Sequence, residues 1–198
     1  MASLDDLLRF IKLTHAFQQV RRVILVKNEE RHENDLEHTC QLTLLAWFII
    51  DIEHLDLDRD LVMKYALAHD LVEVYAGDTY AFTTNDKLLQ NKNEREQAAA
   101  QRLQHEFPEF VDLHSLITEY ENKQNRESRF VYALDKLLPA LNIYLDDGRT
   151  WNLEGVTLKM LIDNKTNKIA HSPEIKRYFD EFVDILKRRE LELFSKKS

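Results

Sequence analysis

The chain has 198 residues, with only three Gly and three Pro, and 27 Lys and Arg stand against 35 Asp and Glu for a formal charge of −8. So few turn-formers argue against a β-sandwich, a Rossmann domain or a P-loop enzyme, and the acidic balance argues against a general nucleic-acid-binding surface. The single Cys, Cys40, excludes an intramolecular disulfide and any Cys-rich zinc site.

The expected class is all-α, a compact helical bundle read as one domain over residues 1–198. In chain order, Leu4, Leu7, Leu8, Ile11, Phe17, Val20 and Ile24 recur at helical spacing behind Ser3 as a cap. The polar stretch Lys27 to Asn34 reads as a loop. A second helix starts near Asp35 and carries Leu36, Cys40, Leu44, Trp47 and Phe48 towards Ile52. A third, capped by Asp58, runs through Leu61, Tyr65, Leu67 and Ala68 to about Tyr75. Gly77 to Asp86 lacks a period and reads as an ordered loop. Helices follow at 92–107, 108–122 (opening at Pro108), 127–147 and 153–169. The last begins at Ser172 and Pro173 and runs to about Phe194. Trp47 and Trp151 are expected in the core, with a dimer interface as the alternative. Pro139 withholds the N–H that would bond to the Asp135 carbonyl, which predicts a kink or frayed bond there. No apolar run approaches the ~18 residues of a membrane span, and MASLDDLLRF lacks a signal-peptide pattern. A cytoplasmic protein with no membrane partner is the expectation.

Chemistry concentrates at Ala68-His69-Asp70-Leu71-Val72-Glu73, where His69, Asp70 and Glu73 share one side of the third helix. His38 stands in the first turns of the second helix. Asp135 interrupts the apolar run Phe130, Val131, Tyr132, Ala133, Leu134, Leu137, Leu138. A charge among such neighbours needs a partner. Two His and two Asp on three helices would make a four-ligand divalent metal site with room for water. Mn, Co, Zn, Fe and Mg all suit mixed N/O ligands. His105 reads as exposed and His114 as a packing residue, which favours one ion over two.

This pattern of a His, a His-Asp pair and a later Asp resembles the HD-domain superfamily of metal-dependent phosphohydrolases. Within it, Glu33-Asn34-Asp35-Leu36-Glu37-His38, Ala68 to Thr79 and Ala133-Leu134-Asp135-Lys136 resemble the 5'-deoxynucleotidases, over about residues 5–145. The resemblance implies that His38, His69, Asp70 and Asp135 hold one divalent cation. It also implies that Glu73 and Asp78 serve the hydrolytic water and its proton transfers, and that Arg22 or Arg21 contacts phosphate. The substrate implied is a nucleotide rather than a nucleic-acid polymer, and the assembly a homodimer. The C-terminal helices, 153–195, carry no functional signal and are expected to pack on the motif-bearing part. Other activities of the superfamily, on triphosphates or phosphodiesters, and a non-catalytic nucleotide- or metal-binding role are the alternatives.

Overall fold

The structure is a computed structural model and describes residues 2–83 and 91–194. Along the chain run α1 (Leu4–Phe17), β1 (Arg21–Leu25), β2 (His32–Asn34), α2 (Asp35–Ile52), α3 (Arg59–Ala68) and α4 (Glu73–Ala76). Beyond residue 90 come α5 (Lys92–Glu106), α6 (Val111–Asn122), α7 (Arg126–Leu145), α8 (Arg149–Leu153), α9 (Leu158–Ile169), α10 (Pro173–Arg188) and α11 (Glu190–Leu193). The all-α expectation is met, with one two-stranded antiparallel ribbon, β1–β2, added to it. Residues 84–86 of the expected loop and residue 195 lie outside the described residues. Among those described, no helix is long and apolar enough to cross a membrane.

Start signals sit where side-chain chemistry requires them. Ser3, Asn34 and Asn125 close capping boxes with Asp6, Glu37 and Ser128, while Asp58, Thr157 and Ser172 each accept one backbone N–H. Helix α7 is the hub, and α2, α3, α6, α8, α9 and α10 all pack on it. It can be so because Phe130, Val131, Leu134, Leu137, Leu138 and Ile143 are buried together, an apolar surface too wide for one neighbour. Pro139 lies inside this continuous helix and, having no N–H, leaves the Asp135 carbonyl without its helical donor.

The structure corrects several expected elements. The first helix stops at Phe17, and Val20 and Ile24, which fit its period, belong instead to the approach and body of β1. The β-branched Val23 and Ile24 suit a strand, and the turn after Val26 folds it back on β2. Helix α3 ends at Ala68 rather than near Tyr75. Beyond it the bonds tighten to i→i−3, from Leu71, Glu73, Val74 and Tyr75 to Ala68, Asp70, Leu71 and Val72. Such winding stacks Asp70 above Glu73. Pro108 lies in a turn before α6, which starts at Val111. The helix expected at 153–169 starts only at Leu158 (α9), a separate short helix α8 precedes it, and the last helix breaks at Arg189.

Trp151 is in the core as expected, but Trp47 is 53% exposed. Helix α2 carries two apolar stripes: Leu42, Ala46, Ile49 and Ile50 are buried, whereas Leu44, Trp47 and Phe48 face outward. Leu4, Leu7, Leu8 and Ile11 of α1 are exposed as well. At the C-terminal end, Trp151 stacks on Phe194 with centroids 4.5 Å apart. Beside them Gly148, at φ +74°, lies against the backbone of Leu193, and Asn152 donates to the Leu193 carbonyl at 3.2 Å.

Candidate metal centre and substrate cavity

His38 projects from the second turn of α2, His69 and Asp70 from the tightened turn after α3, and Asp135 from the middle of α7. One ligand atom from each lies within 4.8 Å of all the others. His38 Nε2 is 2.9 Å from Asp135 Oδ1, and His69 Nε2 is 3.0 Å from Asp70 Oδ2 and 3.7 Å from Asp135 Oδ1. The sequence-expected ligands therefore converge.

The protonation pattern tests whether a cation fits. His69 Nδ1 lies 2.9 Å from the Ala66 carbonyl, which can only accept, so the ring donates there. Nε2 then turns a lone pair towards two carboxylates, which are also acceptors, and it is buried without a hydrogen bond. A proton or a metal cation must stand between them. Between the protein's own groups alone it is a proton: burial disfavours the charged ring, but Asp70 and Asp135 outweigh it and raise His69 to about 10. His38 behaves oppositely, held down to about 4 by burial and the Arg22 charge, and so keeps the neutral form that ligates metals. Two imidazoles and two carboxylates suit a divalent ion.

Arg22 sits on β1, 3.0 Å from both Asp35 Oδ1 and Asp70 Oδ2 and 3.3 Å from Glu33 Oε2. Asp35 is wholly buried and Glu33 nearly so. Burial pushes both acids up to about 7 despite the guanidinium. Asp35 and Asp70 both accept from Nη1 of Arg22, whereas Nε lies near Glu33 without a hydrogen bond and Nη2 has no carboxylate partner among the described residues. Arg21, the other sequence candidate, is exposed on the opposite face of the strand. Alternation along β1 separates the two, a distinction the helical reading of this segment could not make.

Asp35, Asp70 and Glu73 form a second tight carboxyl group. Arg22 already serves Asp35 and Asp70 within it. Glu73 Oε2 is buried and unpartnered. Burial, then the charges of Asp70, Asp35 and Asp78, hold Glu73 well above the ordinary carboxyl range, and burial does the same to Asp78. Gly77, at φ +72°, lets the chain leave α4 directly into Asp78.

These groups open on one cavity of about 550 Å³, lined by Arg22, His69, Asp70, Glu73, Asp78 and Asp135. The volume suits a small molecule of nucleotide size. Sequence reasoning missed part of its wall. Tyr80 and Phe82 line it after Asp78, and Trp151, Leu161, Asn164, Lys165 and Lys168 line it from α8 and α9. The hydroxyls of Tyr80 and Tyr120 are buried there without partners. His105 is exposed, and His114 bonds to the Phe107 carbonyl at 2.8 Å, so neither joins the cluster.

Comparison with known proteins agrees with this geometry. The HD domain family model matches residues 16–176. The chain is 29% identical over 181 residues to 5'-deoxynucleotidase HDDC2 from Bos taurus, covering 89% of this chain and 83% of the relative. The Mus musculus protein of the same name is 28% identical over 180 residues, covering 88% and 85%. Among solved structures, a predicted metal-dependent phosphohydrolase from Magnetospirillum magnetotacticum superposes with TM-score 0.79 at 28% identity, covering 96% of this chain and 97% of that one. A conserved hypothetical protein from Pyrococcus furiosus shares the fold, with TM-score 0.63 at 22% identity, covering 91% and 99%. Four converging ligands, a nucleotide-sized cavity and these relatives lead to one conclusion: the chain belongs to the HD domain family and is a metal-dependent phosphohydrolase.

Proposed function

We propose that this enzyme removes the 5'-phosphate from (deoxy)nucleoside monophosphates, giving a nucleoside and inorganic phosphate. The observation that carries the reading is the meeting of the four-ligand cluster with Arg22, Glu73 and Asp78 in one cavity of nucleotide size. The deoxynucleotidase names of the relatives support it.

His38, His69, Asp70 and Asp135 would hold the cation, which when bound supplies Lewis acidity towards water and a phosphoryl oxygen. Arg22 Nη2 donates to the phosphate, the guanidinium being held through Nη1 by Asp35 and Asp70. Glu73, made more basic by burial and its acidic neighbours, orients the attacking water and takes its proton. Asp78, also raised by burial, donates a proton to the departing 5'-oxygen. Water adds to phosphorus, the P–O5' bond breaks, and the protons balance between the two carboxyls.

Phosphate release from ribo- and deoxynucleoside 5'-monophosphates with Mn, Co or Mg tests this, with triphosphates and cyclic dinucleotides beside them. Release from monophosphates is expected; none from any of them would overturn the assignment. Glu73→Gln and Asp78→Asn should each lose turnover while retaining metal, and full activity in either would remove its role. A homodimer completes the reading, with the exposed apolar faces of α1 and α2 available for pairing; a monomeric mass in solution would contradict it.

A further inference from the structure

Helix α9 buries Leu158, Leu161, Lys165 and Ile169 along one stripe. A lysine on such a stripe ordinarily bends its ammonium out to water. Lys165 does not: it is 5% exposed and lines the cavity. Among the described residues it makes no hydrogen bond and no ion pair. A buried, unpaired ammonium is costly, and packing alone would be served as well by Met or Leu.

The charges around it explain why no partner is at hand. The groups acting on Lys165 are Asp135 and Lys136 of α7, Lys168 of its own helix and Arg22 of β1, three of them cations. The one anion, Asp135, is engaged by Lys136 at 2.5 Å and by His38 at 2.9 Å. Burial and then the Lys136 charge pull Lys165 down to about 7. Lys168, also at the cavity wall, donates to Asn164 Oδ1 at 3.0 Å and has no acidic partner among the described residues. Asn164 in turn donates to the Ala81 carbonyl at 3.2 Å, which ties α9 to the segment that follows Asp78. Among the described residues, two lysines without counterions thus face a cavity in a chain of net charge −8. No acid among the described residues neutralises them, and an anion entering the cavity would.

We propose that Lys165 is a substrate-binding residue whose ammonium donates to the substrate's phosphate oxygens from the α9 wall of the cavity that Arg22 of β1 also lines, with Lys168 reinforcing the positive field. The proposal rests on the phosphomonoester reading above and assigns to the C-terminal quarter of the chain a part in recognition.

The test uses metal-loaded wild type, Lys165→Met, Lys165→Gln, Lys165→Arg and, as a control on the exposed side of α9, Lys159→Met. Inorganic phosphate is titrated calorimetrically, and KM and kcat are measured with a nucleoside monophosphate. Removing the charge should weaken phosphate binding by at least about tenfold and raise KM by about 10–100-fold, with a smaller change in kcat. Lys165→Arg should recover most of the loss, and Lys159→Met should match wild type. A purely structural lysine would lower the melting temperature and leave phosphate affinity alone. Wild-type phosphate affinity in Lys165→Met or Lys165→Gln overturns the proposal, as does failure of metal-loaded wild type to bind phosphate. If wild type binds phosphate through Lys165 but hydrolyses no monophosphate, the substrate assignment fails and the Lys165 assignment stands. Turnover with unchanged phosphate affinity in the variants gives the reverse.

Discussion

Lys165→Met should stabilise the protein, and the gain should depend on pH in a defined direction. Met keeps the length of the side chain and its packing against Leu161 and Ile169 while deleting the ammonium. In the folded chain Lys165 falls from 10.5 to about 7. At ~1.4 kcal/mol per pH unit, that fall corresponds to about 4–5 kcal/mol against the folded, protonated form. The unfolded chain holds the proton up to about pH 10.5, whereas the folded chain releases it near 7. Between those values the unfolded state binds more protons, so wild-type stability rises with pH; below 7 the full cost applies. Urea denaturation of metal-free wild type and Lys165→Met at pH 6.5 and 9.5 gives the comparison. The variant should be more stable by several kcal/mol at the lower pH, with the gap shrinking markedly at the higher. A variant less stable than wild type at pH 6.5, or a gap equal at both, refutes the reasoning. A residue held in place at such a cost is characteristic of a site shaped for binding rather than for stability.

Gly148→Ala would place a Cβ on the Leu193 carbonyl, 3.0 Å from Leu193 C and Cα, at a φ of +74°; a loss of about 2–4 kcal/mol in denaturation is expected. Gly155→Ala has positive φ but open space, and should lose only about 1 kcal/mol, so equal losses would contradict the clash. Arg22→Met leaves buried Asp35 and Glu33 unpaired and should cost about 3–5 kcal/mol at pH 8. Both acids stand near 7 even with Arg22 beside them, so the loss should be smaller at pH 5, where they are neutral; a loss independent of pH would count against the ion-pair account. Adding Mn to chelator-treated protein should raise the melting temperature, by the equivalent of ~4 kcal/mol at a thousandfold excess over Kd. His69→Gln should abolish most of that rise, and an unchanged wild-type transition would refute a cation at this cluster.

The metal cluster was legible in the sequence because its signals are strong and local. A His-Asp pair among apolar neighbours, and an acid inside the apolar run of α7, are both expensive to bury without a reason. The helical framework was legible from spacing and from caps such as Ser3, Asp58 and Ser172. The β1–β2 ribbon was not, because Val20 and Ile24 extend the period of α1 by coincidence, and five residues are too few to contradict it. The break after Ala68 was also hidden: tightening from i→i−4 to i→i−3 leaves apolar spacing almost unchanged while it realigns Asp70 with Glu73. Helix α2 misled because either of two apolar stripes could have been the buried one. Lys165 sat in the polar run Asn164-Lys165-Thr166-Asn167-Lys168, where charge ordinarily means solvent. Its one available signal was position, four residues after Leu161 and four before Ile169, on the stripe that the helix buries.

The two tryptophans that this fold separates give it a pair of optical reporters without any label. Trp47 stands on the outer stripe of α2, so its emission should be red-shifted and open to collisional quenchers in a single chain, and shielded once that face pairs with a second copy. Trp151 is sealed against Phe194 at the wall of the cavity, so its emission should be blue-shifted and shielded. In a Trp47→Phe protein the remaining indole would report two events at one place: arrival of a nucleotide beside it and loosening of the C-terminal segment behind it. Ligand recognition and the anchoring of the chain's end can therefore be followed in a single spectrum.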